Sequence, residues 1–280
     1  MTHLANESRL LAFGRYLFLS LMSLVALGPL LWSFLTSLKP MAQVMAYPPV
    51  WIPTEPTLEN YRGVIFDSGM LRYFGNTLIV AGIAIAIVLM FASLAAYAVA
   101  RFRFRSRETM MFLILATSMV PLVSLLTPLY VIWVKVGLYD SYLGMALAFA
   151  AWQLPTSMLM VRGFIEAIPY EIEEAALVDG CSRWQCFRYI VLPVIQPGLV
   201  ASGILMLVFI WNDFLVGTAL GVSEKHRLVQ VGLYRFVGDL GVDWGKFTAY
   251  VVLSVVPVVI LFVMLRKRLV KGLVAGAVKG

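Results

Sequence analysis

Residues Glu173 to Pro193 read EEAALVDGCSRWQCFRYIVLP. Ser141–Val161 before this stretch has no charged residue, and neither has Tyr189–Asn212, which overlaps its end. A polar island between two such runs calls for a fold in which most of the chain avoids water. Composition agrees: of 280 residues, 61% are hydrophobic and only 13% charged. Soluble domains carry about 25% charged residues. A water-soluble fold of this length would lack the polar surface to cover itself, so the expected class is an integral membrane protein.

A helix needs about 20 apolar residues to cross a hydrocarbon core about 30 Å thick. Charge-free runs of that order lie at 16–38, 73–100, 109–134, 141–161, 189–212 and 247–265. In the fifth, Pro193 and Pro197 move the expected helix start to about Pro197. The expectation is an all-α protein with six transmembrane helices, because a helix satisfies its own backbone groups in lipid. The short alternating strands of a β-barrel are missing from the pattern. The first run is longer than the apolar part of a secretory signal, and reads as a retained anchor.

Six spans place both ends of the chain on one side. Fourteen of the 22 Lys and Arg residues fall on that side, among them the cluster Arg101, Arg103, Arg105 and Arg107 in RFRFRSR. The positive-inside rule makes that side, the termini and the polar island cytoplasmic. The net charge of +7 is then membrane flanking rather than a nucleic-acid surface. Cys181 and Cys186 have no nearby His to complete a metal site, and a cytosolic position argues against a disulfide. The first outer loop, about 39–70, contains YPPVWIPTEP, whose prolines favour extended chain. The last, 220–246, reads either as a solvated connector or as a contact for an outside partner.

Within the island, Pro169 suits a helix start and Glu171, Glu173 and Glu174 suit its positive end. Gly180 suits a left-handed cap. Residues 169–179 therefore read as a helix about 16 Å long, too short to span. Ser182 caps a second helix running to about Ile190, and Leu192-Pro193 is expected to turn the chain into the fifth span. Ala175 and Ala176 let another surface come close while the carboxylates beside them accept hydrogen bonds. This describes a docking element; the competing reading is an amphipathic helix in lipid headgroups, which an acidic helix suits poorly.

Glu174-Ala175-Ala176, Gly180, Ile190 and Leu192-Pro193 fit E-A-A-x3-G-x9-I-x-L-P at every position. This resembles the cytoplasmic loop of permease subunits of bacterial ATP-binding-cassette importers. PTLENY at Pro56–Tyr61, AYAVARFRF at Ala96–Phe104, IPYEIEEAALVDG at Ile168–Gly180, WNDF at Trp211–Phe214 and the tail GLVAGAVKG at Gly272–Gly280 resemble the smaller six-span permease of the maltose-type carbohydrate branch. Cys181 departs from the usual Ala there, and Cys186 is not a family feature.

The resemblance implies a sugar-importing permease in the cytoplasmic membrane, with a coupling helix–turn–helix between spans four and five. ATPase-coupling residues would be Glu171, Glu174, Ala175, Ala176, Asp179, Gly180, Ile190, Leu192 and Pro193. It divides the chain into 1–70 (tail, first span and first outer loop), 71–270 (permease core with the 166–196 loop) and a 271–280 tail. It implies as partners a sister permease, two ATPase subunits, an extracytoplasmic solute-binding protein and membrane lipid. No cofactor is expected in this chain; ATP and Mg belong to the partner ATPase. The closest approach to a P-loop, Gly241–Phe247, is one residue short and lacks its Ser or Thr.

Candidate pathway or gate residues are Trp152, Gln153, Ser157, Trp211, Asn212 and Asp213. Gln153 lies about 18 Å into the fourth span at 1.5 Å per residue. There Trp152 could stack on a sugar while Gln153 or Ser157 bonds its hydroxyls; the competing reading is interhelical hydrogen bonding. Asp213, an acid at the outer end of the predicted fifth span, reads as an outer gate or subunit contact. Pro121, Pro128, Pro155 and Pro257 mark expected bends. Two alternatives share this outline: an importer permease for a non-sugar solute, and an ion-coupled transporter, which would want buried acids at mid-depth. A membrane enzyme would want a clustered catalytic set, and the two histidines, His3 and His226, are far apart.

Overall fold

The computed structural model describes residues 9–238 and 241–277, with side chains for 11–238 and 241–264. His3, the last basic side chains and the end of the C-terminal tail lie outside them. The backbone clusters into two units: residues 1–69 with 233–256, and residues 70–232 with 257–280.

In the first unit α1 (Arg9–Ser37) is a 29-residue helix. It is followed by α2 (Met41–Val44) and α3 (Glu59–Asp67). Between them residues 45–58 are non-helical, as the prolines dictate. Asn60 fastens α3 to the end of α1, its Nδ2 donating to the Ser37 and Lys39 carbonyls at 2.9 Å each. The Ser37 and Tyr61 hydroxyls meet at 2.6 Å. A strand pair, β1 (Val237–Gly238) and β2 (Gly241–Val242), is antiparallel and precedes the last long helix, which begins at Trp244.

In the second unit α4 (Met70–Arg101) and α7 (Tyr142–Glu166) form the central pair. The buried face of α4 runs Val80, Ala81, Ala84, Val88, Ala92 and Ala96. This is a helical stripe of small residues; α7 also buries small residues, Ala146, Ala148 and Ala150 among them. Small side chains let two helices approach where lipid supplies no hydrophobic drive. The third run is not one straight helix: α5 (Arg107–Ser118) and α6 (Leu122–Val136) meet at 92°. Pro121 takes an extended ψ of 130° at the break, and with no N–H it cannot carry the helical ladder through. Pro128 and Pro155, by contrast, lie inside continuous helices.

After the polar island, α8 (Tyr170–Val178), α9 (Arg183–Cys186), a π-helical turn (Phe187–Val191) and α10 (Leu192–Val194) lead into α11 (Gln196–Asn212). The chain does not turn at Leu192-Pro193, as expected from sequence. Helix persists to Val194, and the 68° bend falls at Ile195. Pro193 is the last residue but one of this helical stretch, and Val191 and Leu192 before it keep right-handed helical dihedrals. α12 (Leu215–Leu220), α13 (Val229–Gly232) and a 3-10 turn (Leu233–Phe236) follow, and α14 (Trp244–Ala277) ends the described chain. Among the described residues four helices are long and apolar enough to cross a membrane, or up to six if each bent pair is one span.

The 220–232 segment is tied down rather than a free connector. Asn76 Nδ2 donates to the Lys225 and Arg227 carbonyls at 2.9 Å each, and the Tyr142 hydroxyl donates to Asn76 Oδ1 at 2.8 Å. Elsewhere α11 crosses α7 at Gly198, where a Cβ would stand 2.4 Å from the Phe164 ring. Gly198→Ala should therefore destabilise the second unit by about 1–3 kcal/mol through overpacking. A lower Tm of the purified variant checks this; an unchanged Tm would show that Phe164 yields freely.

Candidate functional site

The island is built by local signals. Pro169 precedes α8, with Glu171 and Glu173 in its first turn. At its end Gly180 has φ +91°, a left-handed conformation that glycine adopts without a Cβ penalty. The Gly180 N–H donates to the Leu177 carbonyl at 3.1 Å and the Cys181 N–H to the Ala176 carbonyl at 2.9 Å. This is a Schellman cap, which satisfies the orphan carbonyls of α8. Ser182 and Gln185 then form a reciprocal capping box: Ser182 N–H to Gln185 Oε1 at 2.7 Å, Gln185 N–H to Ser182 Oγ at 3.3 Å.

α8 has two faces. Glu171, Glu174, Ala175, Asp179 and Gly180 are exposed, and Ala176 is half-buried. Beside them stand exposed apolar groups, Val178 at 87% and Trp184 at 61%. Ile190 and Leu192 are half-buried and Pro193 is exposed, on the helical segment that backs this surface.

The opposite face carries a residue absent from the sequence-derived site. Glu173 is fully buried. Its Oε1 accepts from Arg101 Nε at 2.5 Å and its Oε2 from the Tyr97 hydroxyl at 3.0 Å. Arg101 is the last residue of α4, and its Nη2 also donates to the Ile165 and Ile168 carbonyls at 2.8 and 2.9 Å. Those carbonyls lie at and just past the C-terminal end of α7, where helix carbonyls lack intrahelical donors. One guanidinium thus joins α4, α7 and α8. Arg101 is not merely a flanking charge, as its place in RFRFRSR suggests.

Packing completes the joint. Phe187 is buried against Tyr97 at 5.0 Å between ring centroids and against Trp184 at 5.5 Å. Arg183 reaches the Tyr170 hydroxyl at 3.3 Å, and that bond raises its pKa. Cys186 is buried and Cys181 half-buried, both as free thiols; burial pushes the Cys186 thiol up, away from reactivity. Among the described residues no group of His, Cys, Asp and Glu could hold a metal.

The pathway candidates divide. Trp211 is core, 2% exposed and edge-on to Phe74 at 5.3 Å. The Asn212 amide donates to the Val208 carbonyl of its own helix at 2.8 Å. Asp213 follows the end of α11, and its Oδ1 accepts the Val216 N–H at 2.8 Å, so it caps the start of α12. Trp152 and Gln153 are half-buried and Ser157 is buried on α7. Among the described residues Gln153 forms no hydrogen bond, so the interhelical bond weighed for it is not made within this chain.

Comparison with known proteins agrees with this architecture. Residues 88–273 match the family of binding-protein-dependent transport system inner membrane components. The sulfoquinovosyl glycerol transport system permease protein SmoH of Agrobacterium fabrum is 35% identical over 95% of this chain and 93% of its own. The trehalose transport system permease protein SugB of Mycobacterium tuberculosis is 34% identical over 91% and 93%. Among solved structures, a chain of a bacterial ABC transporter involved in import of the acidic polysaccharide alginate superposes with a TM-score of 0.81. It covers 94% of this chain and 98% of that one at 23% identity, a likeness of fold. The chain therefore belongs to the binding-protein-dependent transport system inner membrane components, as a permease subunit of an ATP-binding-cassette importer rather than an enzyme.

Proposed function

We propose that this permease carries a sugar across the bacterial cytoplasmic membrane by alternating access, with both termini cytoplasmic. The observation that carries the reading is the two-faced island: one face exposed, with Glu171, Glu174 and Asp179 beside Val178 and Trp184, the other bolted to α4 and α7 through buried Glu173. A surface that only lay on lipid would not need its inner face locked to two long helices. An ATPase subunit gripping Glu171, Glu174, Ala175, Ala176, Asp179 and Gly180 would find a stiff lever, which bistable helix packing requires. Ile190, Leu192 and Pro193 pass the motion into α11.

The remaining organisation follows the same scheme. Residues 1–70 anchor the chain, 71–270 form the permease core with the 166–196 loop, and 271–280 end in the cytoplasm. A sister permease completes the pathway, two ATPase subunits supply ATP and Mg chemistry, and an extracytoplasmic protein delivers the solute. Sugar as the solute rests on the named specificities of the relatives, sulfoquinovosyl glycerol and trehalose. The unbonded amide of Gln153 beside Trp152 supports a polar pathway on α7.

The test uses Ala175→Cys in a Cys181→Ala background, with the complete transporter in liposomes. Cross-linking from position 175 is expected to capture the ATPase subunit. Trehalose or a related sugar should enter only when ATP is enclosed with the ATPase, and an uncoupler should not stop it. Uptake that persists without ATP and collapses with the uncoupler would establish an ion-coupled carrier instead.

A further inference from the structure

Lys39 lies two residues beyond α1 and is only 2% exposed. Lysines are almost never buried without a partner, because an uncompensated charge out of water is costly. Among the described residues no carboxylate lies within ion-pair distance of its ammonium. Its side-chain contact of note is the Trp32 ring, with Nζ 4.4 Å from the centroid. A cation over an indole face recovers only part of what a charge loses on leaving water.

The ammonium borders a cavity of about 410 Å³ lined also by Trp32, Thr36, Gln43, Trp244 and Phe247. Among the described residues the Thr36 hydroxyl, on the same wall, is buried without a hydrogen-bond partner. Gln43 is held at the rim by Thr54, donating to its hydroxyl at 2.8 Å and accepting its N–H at 3.2 Å. The cavity thus offers one unpaired cation and one idle hydroxyl among aromatic rings. It calls for an occupant with an anionic head and an apolar body.

Position narrows the choice. Lys39 is the first charge after the apolar run 16–38, and tryptophans mark headgroup depth. The apolar side chains of α1, such as Leu24, Val25 and Leu31, are 50–69% exposed and offer a track for acyl chains. We propose that this cavity binds the phosphate of an anionic phospholipid from the leaflet at the Ser37 end of α1. Lys39 pairs with the phosphate, and the Thr36 hydroxyl donates to it after a rotamer adjustment. The aromatic wall holds the glycerol backbone. A soluble anion would neutralise Lys39 but leave the rings and the α1 track bare.

Native mass spectrometry of the purified full chain tests this with phosphatidylglycerol, phosphatidylcholine and glycerol 3-phosphate as probes. Phosphatidylglycerol should be retained in preference to phosphatidylcholine. Lys39→Met should weaken that retention about tenfold and Lys39→Arg should restore it. Lys135→Met, at an exposed lysine, should change nothing. Three results would overturn the proposal: unchanged retention in Lys39→Met, displacement of the lipid by glycerol 3-phosphate at equal concentration, or a sister-subunit carboxylate within 4 Å of Lys39 Nζ in the assembled transporter.

Discussion

Arg101→Met is expected to cut uptake by about a hundredfold or more while the chain still inserts. The substitution leaves Glu173 as a fully buried carboxylate whose one remaining hydrogen bond among the described residues is from the Tyr97 hydroxyl. It also strips donors from the carbonyls of Ile165 and Ile168. Breaking a buried pair by removing one partner costs about 3–5 kcal/mol, because the other charge stays behind. That energy falls on one joint. The long helices keep their own backbone bonds, so α8 should loosen before the membrane core does. Hydrogen exchange should rise across 170–181 and stay level in the middle of α4. The double variant Arg101→Met, Glu173→Met removes both charges and should recover much of the loop's protection, since apolar replacement of a whole buried pair is often neutral. Wild-type uptake by Arg101→Met alone would show that the buried pair does not hold the lever.

How the island came to be legible, and where it did not, turns on the range of each signal. The ends of α8 and the start of α9 are written within a few residues: Pro169 before, Gly180 after, Ser182 and Gln185 three apart. Such caps depend on local dihedrals and short side-chain reach, so sequence reading places them to within a residue. Glu173 and Glu174 look alike in that reading, as two carboxylates in an early turn. Which one turns inward is decided by Arg101, 72 residues earlier. One cue was available. Glu173 lies three and four residues before Ala176 and Leu177, which are the half-buried positions of α8. An acid on the apolar side of a short helix needs a cation, and Arg101 closes the apolar run 73–100, which contains Tyr97.

The membrane helices divide in the same way. Apolar runs fix where helix occurs, since lipid forces the backbone to satisfy itself. They carry no direction, so the 92° break between α5 and α6 was visible only as Pro121. Pro128 and Pro155 carry the same letter and break nothing. The bend after the island fell at Ile195 rather than Pro193: the chain stays helical up to the proline and leaves the helical region only at Ile195, where ψ is 0°. Asp213 shows a related limit: the predicted span reached it, whereas α11 ends at Asn212 and the Asp213 carboxylate accepts the Val216 N–H at the start of α12.

Gly180→Val should separate ATP hydrolysis from uptake, and it does so through the backbone alone. A Cβ at position 180 meets open space, so no clash is introduced. The penalty is conformational: φ is +91°, a region that costs an ordinary L residue roughly 1–2 kcal/mol and a β-branched one more. Relaxing φ breaks the paired bonds from Gly180 and Cys181 back to Leu177 and Ala176. The direction in which α8 hands over to α9 is lost with them. A shift of 1–2 kcal/mol lowers the population of the native turn by a factor of about 5–30, and sugar moved per ATP should fall by a similar factor. Gly180→Ala should lie between, and Gly180→Asn should stay near the parent, since asparagine tolerates the left-handed region. That ranking separates a conformational role from a contact role: if the ATPase simply touched a bare backbone at 180, asparagine would be as harmful as valine. A Gly180→Val transporter with the parent's ratio of uptake to hydrolysis would show that this turn does not relay the stroke.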